Sequence, residues 1–223
     1  MPGGGYRSIK DLPEVIPIFP LDGAVLLPAG ALPLQIFEPR YLNMVDDAMT
    51  GHRLIGMVQT TPGGDRAKPR LAGVGCAGRI TTYAETGDGK YLITLTGVCR
   101  FRIREEMATT TPYRQIRADF APFQADLEPH GEDLEFERVP FLAALRRYLD
   151  LRGLGVDWEA VNAAPGLALI NSLCMALPFD TGEKQALLEA PSLDERRLAL
   201  ATLLEIGAAL ASRSDDDSPP SLQ

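Results

Sequence analysis

The chain has 223 residues, of which 45% are hydrophobic and 23% charged, and its formal net charge is −8. This balance is ordinary for a chain that buries a core, and the length fits one large domain or two small ones. The shortage of basic residues argues against nucleic acid and against an anionic membrane surface as partners. Without a signal peptide or an apolar run near the roughly 20 residues that span a bilayer, and with three scattered cysteines, a cytoplasmic location is expected.

The first half of the chain predicts β-structure. Short apolar runs cut by prolines are typical of strands at sheet edges and turns. The expected strands are, in chain order, VIPIFPL, AVLLP, LPLQIF, Arg53–Gln59, GRITTYAE, KYLITLTG, VCRFRIRE and YRQIRADF. Asp88 and Gly89 predict a hairpin after the fifth strand. The stretch TPGGDRAKPR, rich in proline, glycine and charge, predicts a mobile loop.

The segment IFEPRY predicts the end of a strand followed directly by the start of a helix. Pro39 suits the first turn of a helix, and Glu38 places negative charge at its positive end. Arg40 is expected to pair with Glu38 or with the neighbouring strand. An apolar stripe then follows at helical spacing: Tyr41, Met44, Val45 and Ala48. Glu38, Pro39 and Arg40 are therefore interpreted as a structural junction, with a binding rim as the alternative.

The second half changes to a helical period near Gln124. We expect a helix over about 132–151, a short apolar helix in GLALINSLCMAL, and two further helices. These last two begin at capping boxes, which are Asp180 with Glu183 and Ser192 with Glu195. The predicted organisation is a β-rich part over residues 1–124, a helical bundle over 125–211, and a disordered tail over 212–223.

Motifs for catalysis are missing or out of context. GVGCAG fits a dinucleotide fingerprint only if a helix follows it, whereas the β-branched RITTY follows. The sequence contains no P-loop, no G-x-S-x-G elbow and no Ser-Lys peptidase motif. Cys76, Cys99 and Cys174 lack metal-binding spacing and are interpreted as small apolar residues. We therefore expect no cofactor, no metal and no enzymatic activity.

Arginines alternate along one strand at Arg100, Arg102 and Arg104. The simpler interpretation is a solvated strand face that discourages unwanted pairing. The alternative is a docking strip for acidic groups on a polypeptide.

Five segments carry a family resemblance: IPIFPLDGAVLLPAGALPLQIFEPRYLNMVDDAM, RLIGMVQ, GVGCAGRI, YLITLTGVCRFRI and EKQALLEAPSLDERRLAL. They resemble the N-terminal, substrate-binding domain of Lon protease. The resemblance covers roughly residues 15–210, with LLPAGALPL departing from the usual Pro-Gly turn. It implies an α+β fold. A twisted, partly closed, barrel-like (PUA-like) sheet with one packed helix would precede a helical bundle. The chain resembles bacterial LON-domain proteins that stand alone, without ATPase or peptidase modules.

By this resemblance, the chain is expected to be a polypeptide-binding module without catalytic activity, an adaptor or regulator in protein quality control. Its partners would be unfolded or degron-bearing polypeptides and a protease, and its oligomeric state is left open between monomer and weak dimer. The candidate contacts, besides the three arginines, are Phe37, Tyr41, Met57 and Tyr83. Two alternatives stay open: a small hydrolase using His52, Cys99 or an acidic residue, and a scaffold for one native protein.

Overall fold

The computed structural model describes residues 6–65, 68–128 and 136–216. The predicted tail over 212–223 is described only in part: the last helix continues to Asp216, and the remaining seven positions lie outside the described residues. His130 and the start of the helix predicted over 132–151 also lie outside them.

Contacts divide the chain into two compact units. The sheet unit comprises Met1–His130 together with Met175–Glu189, and the helical unit comprises Gly131–Cys174 together with Ala190–Gln223. The α+β class is confirmed. The predicted boundaries at 124 and 211 stay a prediction, and the segment Met175–Glu189, expected in the helical part, groups with the sheet.

Among the described residues, five strands bond in a closed ring, a sixth joins it from outside, and two more form a separate two-stranded sheet. The strands are β1 (Val15–Pro20), β2 (Ala31–Ile36), β3 (Leu54–Val58), β4 (Thr60–Asp65), β5 (Lys68–Leu71), β6 (Val74–Glu85), β7 (Tyr91–Glu106) and β8 (Gln115–Asp119). β1 pairs in parallel with β3, and antiparallel pairings link β3 to β6, β6 to β7, β7 to β8 and β8 to β1. β2 pairs with the first half of β7. The barrel-like sheet is therefore confirmed.

The predicted packed helix is α1 (Pro39–Thr50), which buries the expected stripe of Tyr41, Met44, Val45 and Ala48. The ring of Tyr41 meets the ring of Phe19 edge-on, with 4.4 Å between centroids. Pro39 lies at the start of the helix, where its missing N–H costs no hydrogen bond. The apolar stripe thus fixes this helix against β1.

The strands predicted as KYLITLTG and VCRFRIRE are one continuous strand, β7. Gly97, at which the first of these two predicted strands ended, sits where a Cβ would lie only 2.0 Å from the Leu27 carbonyl oxygen. The glycine therefore admits a close backbone approach and does not end the strand. Gly75 of GVGCAG has a similar role in β6, since a Cβ there would lie 2.5 Å from the Met57 oxygen.

Two other predicted segments differ from the structure. The stretch expected to be a mobile loop contains most of the paired strands β4 and β5, in which Thr61 pairs with Arg70 and Asp65 with Lys68. The run AVLLP forms no strand, although Val25, Leu26 and Leu27 are buried. Burial of these side chains inside the sheet unit explains the apolar run without any strand pairing.

Helix α5 (Thr181–Glu189) attaches to the sheet through polar contacts. Lys184 Nζ donates to the backbone oxygens of Gly23 at 2.8 Å and Met175 at 3.2 Å. Gln59 Nε2, on the strand side, donates to the Thr181 oxygen at 2.9 Å. Both side chains are buried, which explains why α5 groups with the sheet.

The helical unit contains α2 (Arg138–Leu151), α3 (Trp158–Ala163), most of α4 (Gly166–Ala176) and α6 (Leu193–Asp216). α2 packs against α6 around the fully buried ring of Tyr148. The Ser192 hydroxyl accepts from the Glu195 N–H at 3.1 Å, as the capping motif predicts. α3 was not predicted. Within the described part of the chain, no helix has both the length and the apolar character needed to cross a membrane.

Candidate functional site

Several strand ends meet at one end of the ring. β1 and β3 are parallel, while β6 and β8 run opposite to them, so the last residues of β1, β3 and β7 lie beside the first residues of β6 and β8. Two adjoining cavities of about 810 and 480 Å³ open there, and they share Lys68, Pro69, Glu106 and Arg114. We name the two cavities together the barrel-end cleft.

The larger cavity is formed by the loop between β7 and β8, the first turn of α1 and the end of β1. Its lining is Pro20, Leu21, Asp22, Arg40, Tyr41, Thr60, Lys68, Pro69, Glu106, Met107, Ala108, Thr109, Thr111, Pro112, Tyr113 and Arg114. The lining combines apolar, hydroxyl and charged side chains. Such a surface suits a ligand with both apolar and polar groups.

An ion cluster separates the two cavities. The Arg114 guanidinium donates to both carboxylate oxygens of Glu106, at 2.9 and 2.8 Å, and to the Pro69 oxygen at 2.8 Å. Lys68 Nζ lies 3.1 Å from the same carboxylate. The hydrogen bond from Arg114 holds the pKa of Glu106 below its usual value. The Glu106 carboxylate thus pairs with two cations. The contact to the exposed Lys68 is the longer of the two ion pairs.

Three hydrogen bonds fix the walls of the larger cavity. Tyr113 donates to an Asp47 carboxylate oxygen of α1 at 2.6 Å, and burial with this hydrogen bond raises the pKa of Tyr113 to about 12. The phenol therefore stays a neutral donor at neutral pH. Asp22 accepts from the backbone N–H and from the hydroxyl of Thr60, the former at 3.2 Å. The loop after β1 is thereby joined to the start of β4.

The junction segment forms part of the rim. Arg40 lies 2.8 Å from the Glu38 carboxylate, and its guanidinium carbon lies 4.5 Å from the centroid of the Tyr41 ring. Arg40 and Tyr41 line the cleft, whereas Glu38 and Pro39 do not. At the start of α1, Glu38 and Pro39 form the structural junction, and Arg40 and Tyr41 line the cleft.

The other predicted apolar contacts are not brought together. Phe37 is 62% exposed after β2, and Tyr83 is 39% exposed on β6 beside the Tyr91 ring. Met57 is only 1% exposed and Tyr41 only 7%. Expecting Met57 as an exposed contact was wrong, because β3 lies between β1 and β6 in the ring and every residue of β3 is buried. Tyr41 reaches the cleft as part of a wall rather than as a free side chain.

The predicted arginine ladder was wrong at Arg100. Arg102 and Arg104 are exposed, and Arg104 pairs with Asp119 at 3.2 Å. Arg100 is 5% exposed and forms a bidentate pair with Asp126, at 2.9 and 2.8 Å. Strand alternation placed the three side chains together, but the helical turn over Ala121–Leu127 covers only the first of them.

The cleft lining does not include His52 or Cys99, the two residues named for the hydrolase alternative. Among the described residues, the lining has no serine, cysteine or histidine. Cys99, named for the hydrolase alternative, is fully buried, and burial raises the pKa of its thiol, which disfavours the nucleophilic thiolate. His52 is exposed at the end of α1. Among the described residues, no group of three or more His, Cys, Asp or Glu side chains is placed to hold a metal ion.

Most cleft residues were missed from the sequence. Asp22, Lys68 and the Glu106–Arg114 pair lie far apart along the chain, and they meet only because the ring and the β4–β5 hairpin bring them to one cleft. One usable signal was present: the uncharged loop MATTTPY between two strands is longer than a tight hairpin requires, and long loops on a rigid scaffold often carry function.

Comparison with known proteins identifies the family. Residues 15–205 match the ATP-dependent protease La (LON) substrate-binding domain. The chain belongs to this family. It is 28% identical over 209 residues to Lon protease 2 of Myxococcus xanthus, and 29% identical over 203 residues to the Lon protease of Dictyoglomus thermophilum. These alignments cover 90% and 85% of this chain but only 24% of either relative. The chain thus spans about a quarter of the length of these relatives.

Solved structures of LON domains share the fold. A Lon N-terminal domain protein from Xanthomonas campestris aligns with a TM-score of 0.58 and 25% identity, over 82% of this chain and 94% of that one. The N-terminal domain of a Mycobacterium avium complex Lon protease aligns with a TM-score of 0.57 and 15% identity, over 85% and 97% of the two chains. The second likeness supports the LON fold alone.

Proposed function

We propose that this chain binds unfolded or degron-bearing polypeptide in the barrel-end cleft, without catalysing a reaction. The observation that carries the proposal is the lining of the larger cavity, in which Met107, Pro112 and Leu21 stand among Asp22, Arg40 and Lys68. An extended peptide presents the same mixture of side chains and backbone polar groups. Membership of a substrate-binding domain family supports this ligand class.

Capture by side chains is favoured over strand addition at two of the open edges. Proline lacks the N–H that a new strand would bond to. β2 carries Pro33, and the β4–β5 hairpin carries Pro62 and Pro69. A stretch of β6, Thr81–Glu85, pairs only with β7 among the described strands and remains the competing site for an added strand.

The biological setting is proposed from the same family membership. The chain would act as an adaptor or regulator that presents polypeptide to a protease in the cytoplasm. Cys76, Cys99 and Cys174 are all free thiols and buried, which is consistent with a reducing compartment. A scaffold for one native partner would also use the cleft, but it would not discriminate between unfolded and native clients.

The test is a binding titration with fluorescently labelled casein, read by anisotropy. Met107→Asp places a carboxylate in the apolar wall of the cleft and is expected to weaken binding about tenfold or more, since one desolvated charge costs at least 1.4 kcal/mol. Leu92→Asp is the matched control, because Leu92 is 45% exposed and lies opposite Ala84 of the β6 edge. Its affinity should match the unmodified chain.

If Leu92→Asp binds casein weakly and Met107→Asp binds it with unchanged affinity, binding belongs to the sheet edge, and the proposal that the cleft binds polypeptide is refuted. Casein from the same samples is expected to stay intact with and without ATP. Cleavage that persists in highly purified protein would refute the non-catalytic assignment. Equal affinity for casein and for a folded protein such as albumin would contradict recognition of unfolded chains.

A further inference from the structure

The helical unit carries a second cavity, separate in its residues from the barrel-end cleft. It has a volume of about 420 Å³ and lies between α2 and α3. Its lining is Leu142, Ala143, Arg146, Arg147, Trp158 and Asn162. We name it the α2–α3 groove.

Contacts outside the lining hold α3 against α2. Arg138, at the start of α2, donates from one guanidinium nitrogen to the backbone oxygens of Val161 and Ala164, each at 3.0 Å. The Asp157 carboxylate caps the other end of α3 by accepting from the N–H groups of Glu159 at 3.0 Å and Ala160 at 3.1 Å. Arg138 therefore joins α3 to α2 through contacts that do not involve Arg146 or Arg147.

The charged side chains in the described lining of the groove are both positive. The Arg146 guanidinium carbon lies 4.1 Å from the centroid of the Trp158 ring, a cation–π contact that leaves its positive charge uncompensated. Arg147 is exposed. Neither arginine forms an ion pair with any residue that the structure describes, and no described residue of the lining is a carboxylate. In a chain of net charge −8, a concave site lined by two arginines favours an anion.

Apolar surface continues from the charged end of the groove. Val139 is 82% exposed and lies four residues before Ala143 of the lining, so the two share one face of α2. A small inorganic anion would contact only the guanidinium groups. A chain with acidic and aliphatic side chains would contact both parts.

We infer that the α2–α3 groove binds an acidic segment of a polypeptide, with carboxylates on Arg146 and Arg147 and aliphatic side chains along Leu142, Ala143 and Val139. Arginine suits this ligand because its planar guanidinium donates two parallel hydrogen bonds to a carboxylate. The inference goes beyond the proposed cleft and does not depend on it.

The groove contains its own reporter. Trp158 is the single tryptophan of the chain, so its fluorescence reports on the groove without a label. The probe is a short peptide of alternating glutamate and leucine, and the control peptide has glutamine in place of glutamate. We expect a saturable change in Trp158 emission with the glutamate peptide. The affinity for the glutamine peptide should be about tenfold weaker, because the hydrogen bonds of arginine to a charged carboxylate are stronger than those to a neutral amide. Raising the salt concentration should weaken the glutamate complex.

Two arginine variants localise the binding. Arg147→Gln should weaken the glutamate complex about tenfold, and because Arg147 is exposed and outside any described ion pair, the thermal unfolding midpoint should be unchanged. Arg152→Gln is the matched control, since that guanidinium stacks on Tyr148, 4.7 Å from its ring centroid, and is not in the lining. The cleft variant Met107→Asp should bind the glutamate peptide normally, which separates this test from that of the proposed function.

Three outcomes of the peptide titrations would overturn the inference. They are no saturable change in Trp158 emission with the glutamate peptide, equal affinity for both peptides, or an Arg147→Gln variant that binds the glutamate peptide as tightly as the unmodified chain. Inorganic phosphate supplies a further arm. If phosphate alone saturates Trp158 emission and displaces the peptide at similar concentration, the groove is a small-anion site and the assignment to an acidic polypeptide is wrong.

Discussion

Arg100 and Asp126 form the best-buried ion pair in the described part of the chain, with side chains 6% and 9% exposed. Asp126 also accepts from the Arg100 backbone N–H at 2.9 Å, and Arg100 donates to the Leu188 oxygen at 3.1 Å. The guanidinium lies 4.7 Å from the Phe123 ring centroid. This one side chain therefore joins β7, the helical turn over Ala121–Leu127, and α5.

Asp126→Asn is expected to lower the free energy of unfolding by about 3–5 kcal/mol, because it leaves the buried Arg100 charge without its counter-ion. Urea denaturation followed by circular dichroism measures this change. Asp119→Asn is the matched control, since its partner Arg104 is 62% exposed, and a loss below about 1 kcal/mol is expected. Equal losses in the two variants would contradict the assignment of Arg100 and Asp126 as the more strongly coupled pair.

At the scale of elements, α5 shows how a helix of weak amphipathic character is positioned. Gln59 Nε2 donates to the Thr181 oxygen at 2.9 Å and to Gln185 Oε1 at 3.0 Å, and Gln185 Nε2 donates to the Val74 oxygen at 3.1 Å. Leu187 and Leu188 supply the apolar contact. A relay of two amides therefore fixes α5 on the ring, which apolar periodicity alone does not predict.

Gln59→Leu should destabilise the sheet unit by about 1–3 kcal/mol, because it removes the donor to a buried backbone oxygen. Hydrogen exchange of the α5 amides should accelerate more than that of the α1 amides. Gln35→Leu makes the same chemical change at an exposed position of β2 and should leave both exchange rates unchanged. Uniform acceleration in α1 and α5 would show that the relay has no local role.

At the scale of the molecule, backbone pairing of β7 with β8 and of β8 with β1 closes the ring, and a seam of ion pairs lies where β7 meets β8. Arg114 pairs with Glu106, Arg117 with Glu105, and Arg104 with Asp119. Arg114 is the most buried of these side chains at 19% exposed, followed by Asp119 at 22% and Glu106 at 26%. The Glu106–Arg114 pair also lines the barrel-end cleft, so the protonation state of Glu106 matters for stability and, under the proposed function, for binding.

The pKa of Glu106 is lowered, chiefly by the hydrogen bond from Arg114. Its stabilisation is therefore complete above the unfolded value of 4.5, and it is lost as the pH falls through the lower folded value. Glu106→Gln should lower the free energy of unfolding at neutral pH and flatten its decline below pH 4.5. Chemical denaturation across this range measures both effects. An unchanged acid slope in the variant would show that Glu106 does not govern this decline.

Local chemistry in the sequence determined many elements of this protein. Pro39 starts α1, the stripe from Tyr41 to Ala48 buries its inner face, and the alternation in GRITTYAE produces a strand. These features depend on neighbours within a few residues, and φ restriction and side-chain periodicity act at that range. The family resemblance was confirmed for the same reason, since its motifs lie in these local segments.

Only the tertiary structure decided which side chains are accessible and which of them meet. Sequence alternation treats Arg100, Arg102 and Arg104 as equivalent, yet a covering turn buries the first. Asp22, Lys68 and the Glu106–Arg114 pair converge because the ring and the β4–β5 hairpin bring distant parts of the chain together. The physical reason is that burial and ion pairing depend on contacts between residues far apart in sequence, which no local pattern specifies.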